Sequence, residues 1–134
     1  MSRVIRFYKS EQTNPDQHQD VRVVICAPGF PASNDDPDKP FLLAHAKSLI
    51  DAGLNVTVIS PALAGAPSRQ KIDGIDVCRV RYAPRRLQTL AATGSMYREA
   101  RGPKGLLALP MIIGLCVAVW RESRRGTTVL YGHW

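Results

Sequence analysis

Short apolar runs separated by polar breaks define the elements predicted for the first half of the 134-residue chain. Residues 21–27 and 55–61 are almost continuously apolar and rich in β-branched side chains, which is typical of strands covered on both faces of a parallel sheet. Residues 41–52, between them, repeat apolar side chains at helical spacing. Strand, helix and strand in this order predict a βαβ unit with a right-handed crossover.

The predicted helix at 41–52 has signals at both ends. Pro40 suits its first turn, Asp38 or a neighbouring residue is expected to cap its start, and Gly53 is expected to end it. Its apolar face comprises Leu42, Ala46, Leu49 and Ile50, and Lys47 and Asp51 point away from that face. We expect the apolar face to pack on the sheet.

Further strands are predicted along the rest of the chain. The pair Asp73 and Gly74 stands between two β-prone pieces and predicts a hairpin turn, with residues 75–82 as the second arm. Residues 126–131 predict one more strand, whereas 87–102 allow either a short helix or a loop. Together these elements predict an α/β fold, a Rossmann-like parallel sheet with flanking helices and one β-hairpin.

Fifteen consecutive uncharged residues, 106–120, allow three interpretations. The first is a core helix packed on the sheet. The second is a helix that docks on a membrane beside a basic rim, because basic residues flank both ends. A membrane span is the third and is disfavoured, since a span needs roughly 20 residues and Pro110 and Gly114 interrupt this run.

Length and composition predict one globular domain at 21–134, preceded by a flexible tail at 1–20. The tail lacks the apolar segment of a secretory signal, which predicts a cytoplasmic protein. Cys26, Cys78 and Cys116 lie in apolar runs without the spacing of a zinc site or a disulfide framework. We therefore expect three small, buried thiols in a reducing compartment, and no metal.

The formal net charge of +7 is concentrated in the second part of the chain. From Arg79 onward there are ten lysines and arginines against two acidic residues, whereas the first 78 residues are close to neutral. Such a basic region can bind nucleic acid, an anionic membrane or a phosphorylated ligand, or it can simply be solvated. No basic strand interleaved with aromatic residues is present, so nucleic acid is not expected as a partner.

Candidate chemistry lies where strands end, because ligands of open α/β sheets bind at the carboxyl ends of the strands. In the loop after the first strand, Gly29 either lets the backbone approach a ligand or serves a tight turn. His133 and Trp134 follow the last strand, where an imidazole can hydrogen-bond a sugar hydroxyl and an indole can cover a sugar ring. The alternative is that both rings only cover the sheet edge, and His45 is interpreted as structural.

Several common motifs are missing from the sequence. The loop after the first strand has a single glycine instead of the G-x-G-x-x-G fingerprint, which disfavours a hydride-transferring dehydrogenase. Neither a Walker A loop, a G-x-S-x-G elbow nor an H-E-x-x-H helix is present.

Three segments, in order along the chain, resemble the N-terminal domain of family 4 glycosyltransferases. The first is Cys26-Ala-Pro-Gly-Phe-Pro31 with the helix and strand at 41–61, and the second is the hairpin at 72–86. The third is Leu130-Tyr-Gly-His-Trp134, which is similar to the Val-His-Ala-His-Trp ending of the family's fourth strand. The likeness extends from about residue 21 to the last residue, and the ordered series makes it specific.

The resemblance implies a GT-B fold, in which two Rossmann-like domains face each other across a cleft. Residues 21–134 would form part of the acceptor-side domain. Such enzymes move a sugar from a nucleotide-sugar donor to a carbohydrate or lipid-linked acceptor, with retention of anomeric configuration and without a metal or cofactor. The family's active-site histidine corresponds to His133, and the resemblance makes Gly29, Phe30 and Trp134 candidates for substrate binding.

The chain departs from the family pattern at several positions. Asp36-Pro-Asp-Lys-Pro40 replaces the Gly-Gly pair common before the first helix, and Tyr131 replaces the first histidine of His-x-His. The family's Glu-x7-Glu donor motif has no counterpart, so we expect the chain alone not to transfer sugar. We expect the complete form to contact the inner face of the membrane peripherally. Two other functions remain open, a non-enzymatic Rossmann-like remnant and a basic membrane- or RNA-associated module.

Overall fold

The computed structural model describes residues 21–36, 39–88, 90, 98 and 101–133. Its five strands form one sheet in the order β3-β4-β2-β1-β5. The strands are β1 (Arg22–Cys26), β2 (Asn55–Pro61), β3 (Arg69–Ile72), β4 (Ile75–Val80) and β5 (Thr128–Gly132). All neighbouring pairs are parallel except β3 and β4, which form the hairpin. The predicted α/β class and mainly parallel sheet are therefore confirmed; the tail at 1–20 lies outside the described residues.

Helix α1 (Pro40–Asp51) covers one face of the sheet. Its side chains Leu42, Leu43 and Ala46 pack on the valines and isoleucines that β1, β2 and β4 direct to the same face. Pro40 occupies the first turn as expected, but the residue before it, Lys39, has no capping side-chain bond. The predicted cap Asp38 lies outside the described residues.

Helix α2 (Ala108–Ser123) covers the other face, and only one side of it is buried. Met111 and Leu115 pack there against a second apolar cluster that includes Val24 and Ile59. Glu122, also buried, accepts a hydrogen bond at 3.2 Å from Arg22 at the start of β1. The prediction of a core helix is therefore correct for the inner side alone, because the sheet offers α2 a single contact face.

The hairpin turn forms where the sequence predicts it. Asp73 and Gly74 both have positive φ angles, 48° and 82°. Two such residues in a row are the geometry of a type I′ turn, whose twist matches that of the strands and which favours the Asp-Gly pair.

The cysteines correct one expectation. Cys26 and Cys78 are half-buried, but Cys116 is exposed on α2. The apolar run around Cys116 predicted a buried thiol, and this was wrong because none of the described elements covers this part of the helix.

Candidate functional site

Four rings gather where β5 ends beside the first turns of α1. The ring centroids of Phe41 and His133 lie 5.4 Å apart, and those of His45 and Tyr131 lie 5.2 Å apart. Tyr131 and His133 are stacked at 6.4 Å. We call Phe41, His45, Tyr131 and His133 the ring cluster.

The ring cluster follows from the repeats of a helix and a strand. Residues four apart on a helix are separated by about 6 Å along its axis, and residues two apart on a strand by about 6.6 Å. Phe41 and His45 on α1 therefore match His133 and Tyr131 at the end of β5. Each ring of one element meets one ring of the other.

His133 is held against the neighbouring strand by its backbone. Its N–H donates to the carbonyl oxygen of Cys26, the last residue of β1, at 2.9 Å. His133 is half-buried at the carboxyl edge of the sheet, and Phe41 and Tyr131 beside it are 56% and 42% exposed. An aromatic surface beside an imidazole can cover the apolar face of a sugar ring and hydrogen-bond its hydroxyls.

Gly29 lies two residues beyond Ala27 on the same edge. A Cβ atom at this position would stand 2.7 Å from Nζ of Lys39, so a larger residue would displace that side chain. The glycine therefore lets an ammonium group approach the backbone after β1. A positive charge at this edge suits an anionic ligand.

The resemblance makes Phe30 a candidate for substrate binding, but the structure places its ring in the core. Its side chain is 3% exposed and belongs to the core cluster under α1. A substrate contact at this position would have to use the backbone, because the ring is enclosed.

Arg79, which the sequence reading did not single out, fixes the loop after β1. It is 3% exposed, and its guanidinium donates to the carbonyl oxygens of Phe30 at 3.2 Å and Pro31 at 2.6 Å. Burial lowers the pKa of Arg79 from its ordinary value, and the charge of Asp36 acts in the opposite direction. The sequence did contain a signal for this role. Arg79 follows Val77 by two residues on the same strand, so both side chains point to the same, inward face of the sheet.

The following residues of this loop, Ala32 to Asn34, lie against the hairpin of β3 and β4 and not at the carboxyl edge. Gln70 of β3 donates to the carbonyl oxygen of Ala32 at 2.9 Å, and Asn34 donates to Asp73 in the hairpin turn. Asp73 also pairs with Lys47 of α1. The loop therefore crosses the hairpin, and Lys39, two residues before Phe41, brings it back to the ring cluster.

A basic cavity lies at another part of the carboxyl edge. It has a volume of about 370 Å³ and is formed by the loop after β2 and the residues after β4, with Arg81 and Arg85 in its wall. Two guanidinium groups in one cavity suit a phosphate or carboxylate group.

The structure brings some of the candidates together. His133 lies in the ring cluster, Gly29 lies on the same edge, and Trp134 lies outside the described residues. Sequence reasoning missed Phe41 and treated His45 as structural, although their spacing of four places them on one helix face.

Comparison with protein families, curated proteins and solved structures finds no match to this chain. Any functional assignment therefore depends on the residues themselves.

Proposed function

We propose that this chain is the acceptor-side Rossmann-like domain of a retaining GT-B glycosyltransferase resembling family 4, and that His133 contacts the reacting sugar. One observation carries the proposal: the half-buried imidazole of His133 stands beside exposed aromatic rings at the carboxyl edge of a mainly parallel sheet. Ligands of open α/β sheets bind at that edge. The ordered resemblance supplies the class of reaction.

Each part of the edge has a role in this proposal. His133 hydrogen-bonds a sugar hydroxyl or the charge that develops during transfer. Phe41 and Tyr131, with Trp134, cover the apolar face of the acceptor sugar. Gly29 lies where the backbone and the Lys39 ammonium meet the donor phosphates. The nucleotide sugar is a substrate, and no metal or cofactor is required.

The acceptor in this proposal is a carbohydrate or a lipid-linked sugar at the cytoplasmic side of a membrane. Arg81 and Arg85 would then meet the phosphate of a lipid-linked acceptor, since both line one cavity on the same edge. Arg81→Gln should weaken the binding of a phosphorylated acceptor and leave that of a neutral one unchanged.

Binding by the 134-residue chain is the first test. The 15N-labelled protein is titrated with neutral glycosides and with lipid-linked sugar analogues, and amide shifts are followed by NMR. We expect shifts at Phe41, Tyr131 and His133, and their loss in His133→Ala. Lys47→Gln, on the far part of α1, is the matched control. If no sugar shifts the edge amides, the ring cluster only covers the sheet and the non-enzymatic alternative gains.

Transfer is the second test. The reading frame beyond Trp134 should encode a donor-binding domain with Glu-x7-Glu, and the combined product should transfer sugar from a nucleotide donor. His133→Ala should then lower kcat about 10²- to 10³-fold, the range for loss of a hydrogen bond to developing charge, with little change in donor affinity. Unchanged turnover in that variant would contradict the assignment.

A further inference from the structure

The outer side of α2 is apolar where a surface helix is normally polar. Leu109, Ile113, Val117 and Trp120 recur at spacings of four, four and three, and so lie on one face. Leu109 is 65% exposed, Ile113 55% and Trp120 54%. Exposure of such an apolar stripe to water is unfavourable, and stripes of this kind mark surfaces that contact a membrane or another protein.

The charges around this stripe identify the occupant. Arg121 and Arg124 follow Trp120, and the Arg124 guanidinium lies 4.1 Å from the centre of the Trp120 ring. Arg101 and Lys104 are exposed at the other end. The single acidic residue of α2, Glu122, faces inward and pairs with Arg22. The apolar stripe is therefore bordered by positive charge at both ends.

We propose that the outer face of α2 docks on an anionic lipid surface, with the helix lying flat in the headgroup region. An amphipathic helix with apolar and aromatic side chains on one side and arginines at its border binds such a surface in this way. A tryptophan beside an arginine suits the boundary between headgroups and acyl chains. The docking does not depend on the glycosyltransferase proposal, because it rests on a different surface.

Two other arrangements fit less well. Pro103–Ser123 is, within the described part of the chain, a helical stretch long and apolar enough to cross a membrane. A span would have to pull Met111, Leu115 and Glu122 out of their contacts with the sheet. A second copy packed through the same face would bring arginines and lysines of both copies together, and like charges repel.

Vesicle binding by the full 134-residue chain tests the proposal. The chain is sedimented with vesicles of phosphatidylcholine, or of phosphatidylcholine with one-third phosphatidylglycerol. We expect binding to the anionic vesicles and much weaker binding to the neutral ones. Arg121→Gln with Arg124→Gln should weaken binding about 10- to 30-fold, because each basic residue near an anionic surface favours binding by about fivefold. High salt should weaken it in the same direction.

The apolar contribution has its own variant. Leu109→Gln with Ile113→Gln should weaken binding at least about tenfold, since two large side chains no longer enter the apolar layer. Both side chains point outward, so the fold is expected to persist, which circular dichroism checks. The matched controls are Lys47→Gln with Lys71→Gln for charge, and Leu87→Gln with Val129→Gln for apolar surface. Neither control should change binding.

Cys116, which lines the groove between α2 and β5 at the border of the stripe, supplies a further readout. It is exposed on α2, close to the stripe, so anionic vesicles should slow its alkylation by a soluble maleimide, and neutral vesicles should not. Absence of binding, equal binding to neutral vesicles, or equal loss in variants and controls would each overturn the proposal. A dimer in sedimentation velocity that Leu109→Gln with Ile113→Gln dissociates would overturn it too, in favour of a second copy on this face. None of these results bears on sugar binding at the ring cluster.

Discussion

Replacing Arg79 should destabilise the protein more than replacing any arginine on its surface. Arg79→Met keeps most of the side-chain volume and removes the guanidinium that holds the loop after β1. The carbonyl oxygens of Phe30 and Pro31 would then lose their donors at 3.2 and 2.6 Å. Both hydrogen bonds are buried, and methionine offers the two oxygens no replacement donor.

The expected loss can be worked out from these bonds. A hydrogen bond from a charged donor contributes about 1.5–3 kcal/mol, so two give an upper limit of about 3–6 kcal/mol. Two features lower this value: removing a buried charge recovers part of its desolvation free energy, and Arg79 Nε has no hydrogen-bond partner among the described residues. The bond to Ser60 Oγ, at 3.4 Å, adds little. We therefore expect a loss of about 2–3 kcal/mol in the free energy of unfolding.

Urea denaturation and thermal melting measure this loss. For a chain of this length, about 2–3 kcal/mol corresponds to a fall in Tm of roughly 10 °C. Arg81→Met is the matched control, because Arg81 is exposed two residues further on, and it should change the stability by less than about 0.5 kcal/mol. Arg79→Lys should fall between the two, since one ammonium group cannot reproduce the planar fork. Equal stability of Arg79→Met and Arg81→Met would refute the reasoning.

Two further predictions concern α2 and the thiols. Glu122→Gln should lower the free energy of unfolding by about 1–3 kcal/mol, because buried Glu122 pairs with Arg22 at 3.2 Å. Urea denaturation measures this loss. A loss no larger than that of a variant at an exposed site would contradict the prediction. Burial, with a smaller contribution from the charge of Cys116, raises the pKa of Cys26. Cys116 should therefore react with maleimide before Cys26 at pH 8, as read by mass spectrometry of the peptides. The folded state keeps the Cys26 proton to higher pH than the unfolded state does, so unfolding becomes easier as the pH rises above the ordinary thiol pKa of about 8.5, and Cys26→Ala should flatten that decline.

The sequence was sufficient for the parts of the fold that local chemistry determines. The Asp73–Gly74 turn, the buried strands and the start of α1 at Pro40 each depend on neighbouring residues, and each appears where it was expected. Periodicity could not give the strand order, since β5 pairs with β1 across more than one hundred residues of chain. It also could not reveal that, among the described residues, none packs on the outer side of α2.

Two residues, His45 in the ring cluster and Gly114 on α2, show why tertiary contacts were harder to predict. Gly114 looked like an interruption in an apolar run, but a Cβ there would lie 2.7 Å from Val80 Cγ1, so the glycine lets α2 approach β4 closely. The contact of His45 with Tyr131 could not be predicted, because Tyr131 is far away in sequence and comes close only after β5 has paired with β1. Both meanings come from tertiary contacts, which no local pattern contains.

The two proposed surfaces are related through the direction of α2. Gly114 lies beside Val80, at the carboxyl end of β4, and Glu122 lies beside Arg22, at the amino end of β1. The helix therefore runs from the edge that carries the ring cluster toward the opposite edge. If α2 lies flat on a membrane, the sheet lies between the lipid surface and the ring cluster, because Phe41 and His45 belong to α1 on the opposite face. A lipid-linked acceptor would therefore have to extend past the carboxyl edge of the sheet to meet His133, so the two proposals are compatible only for an acceptor whose sugar stands well clear of the bilayer.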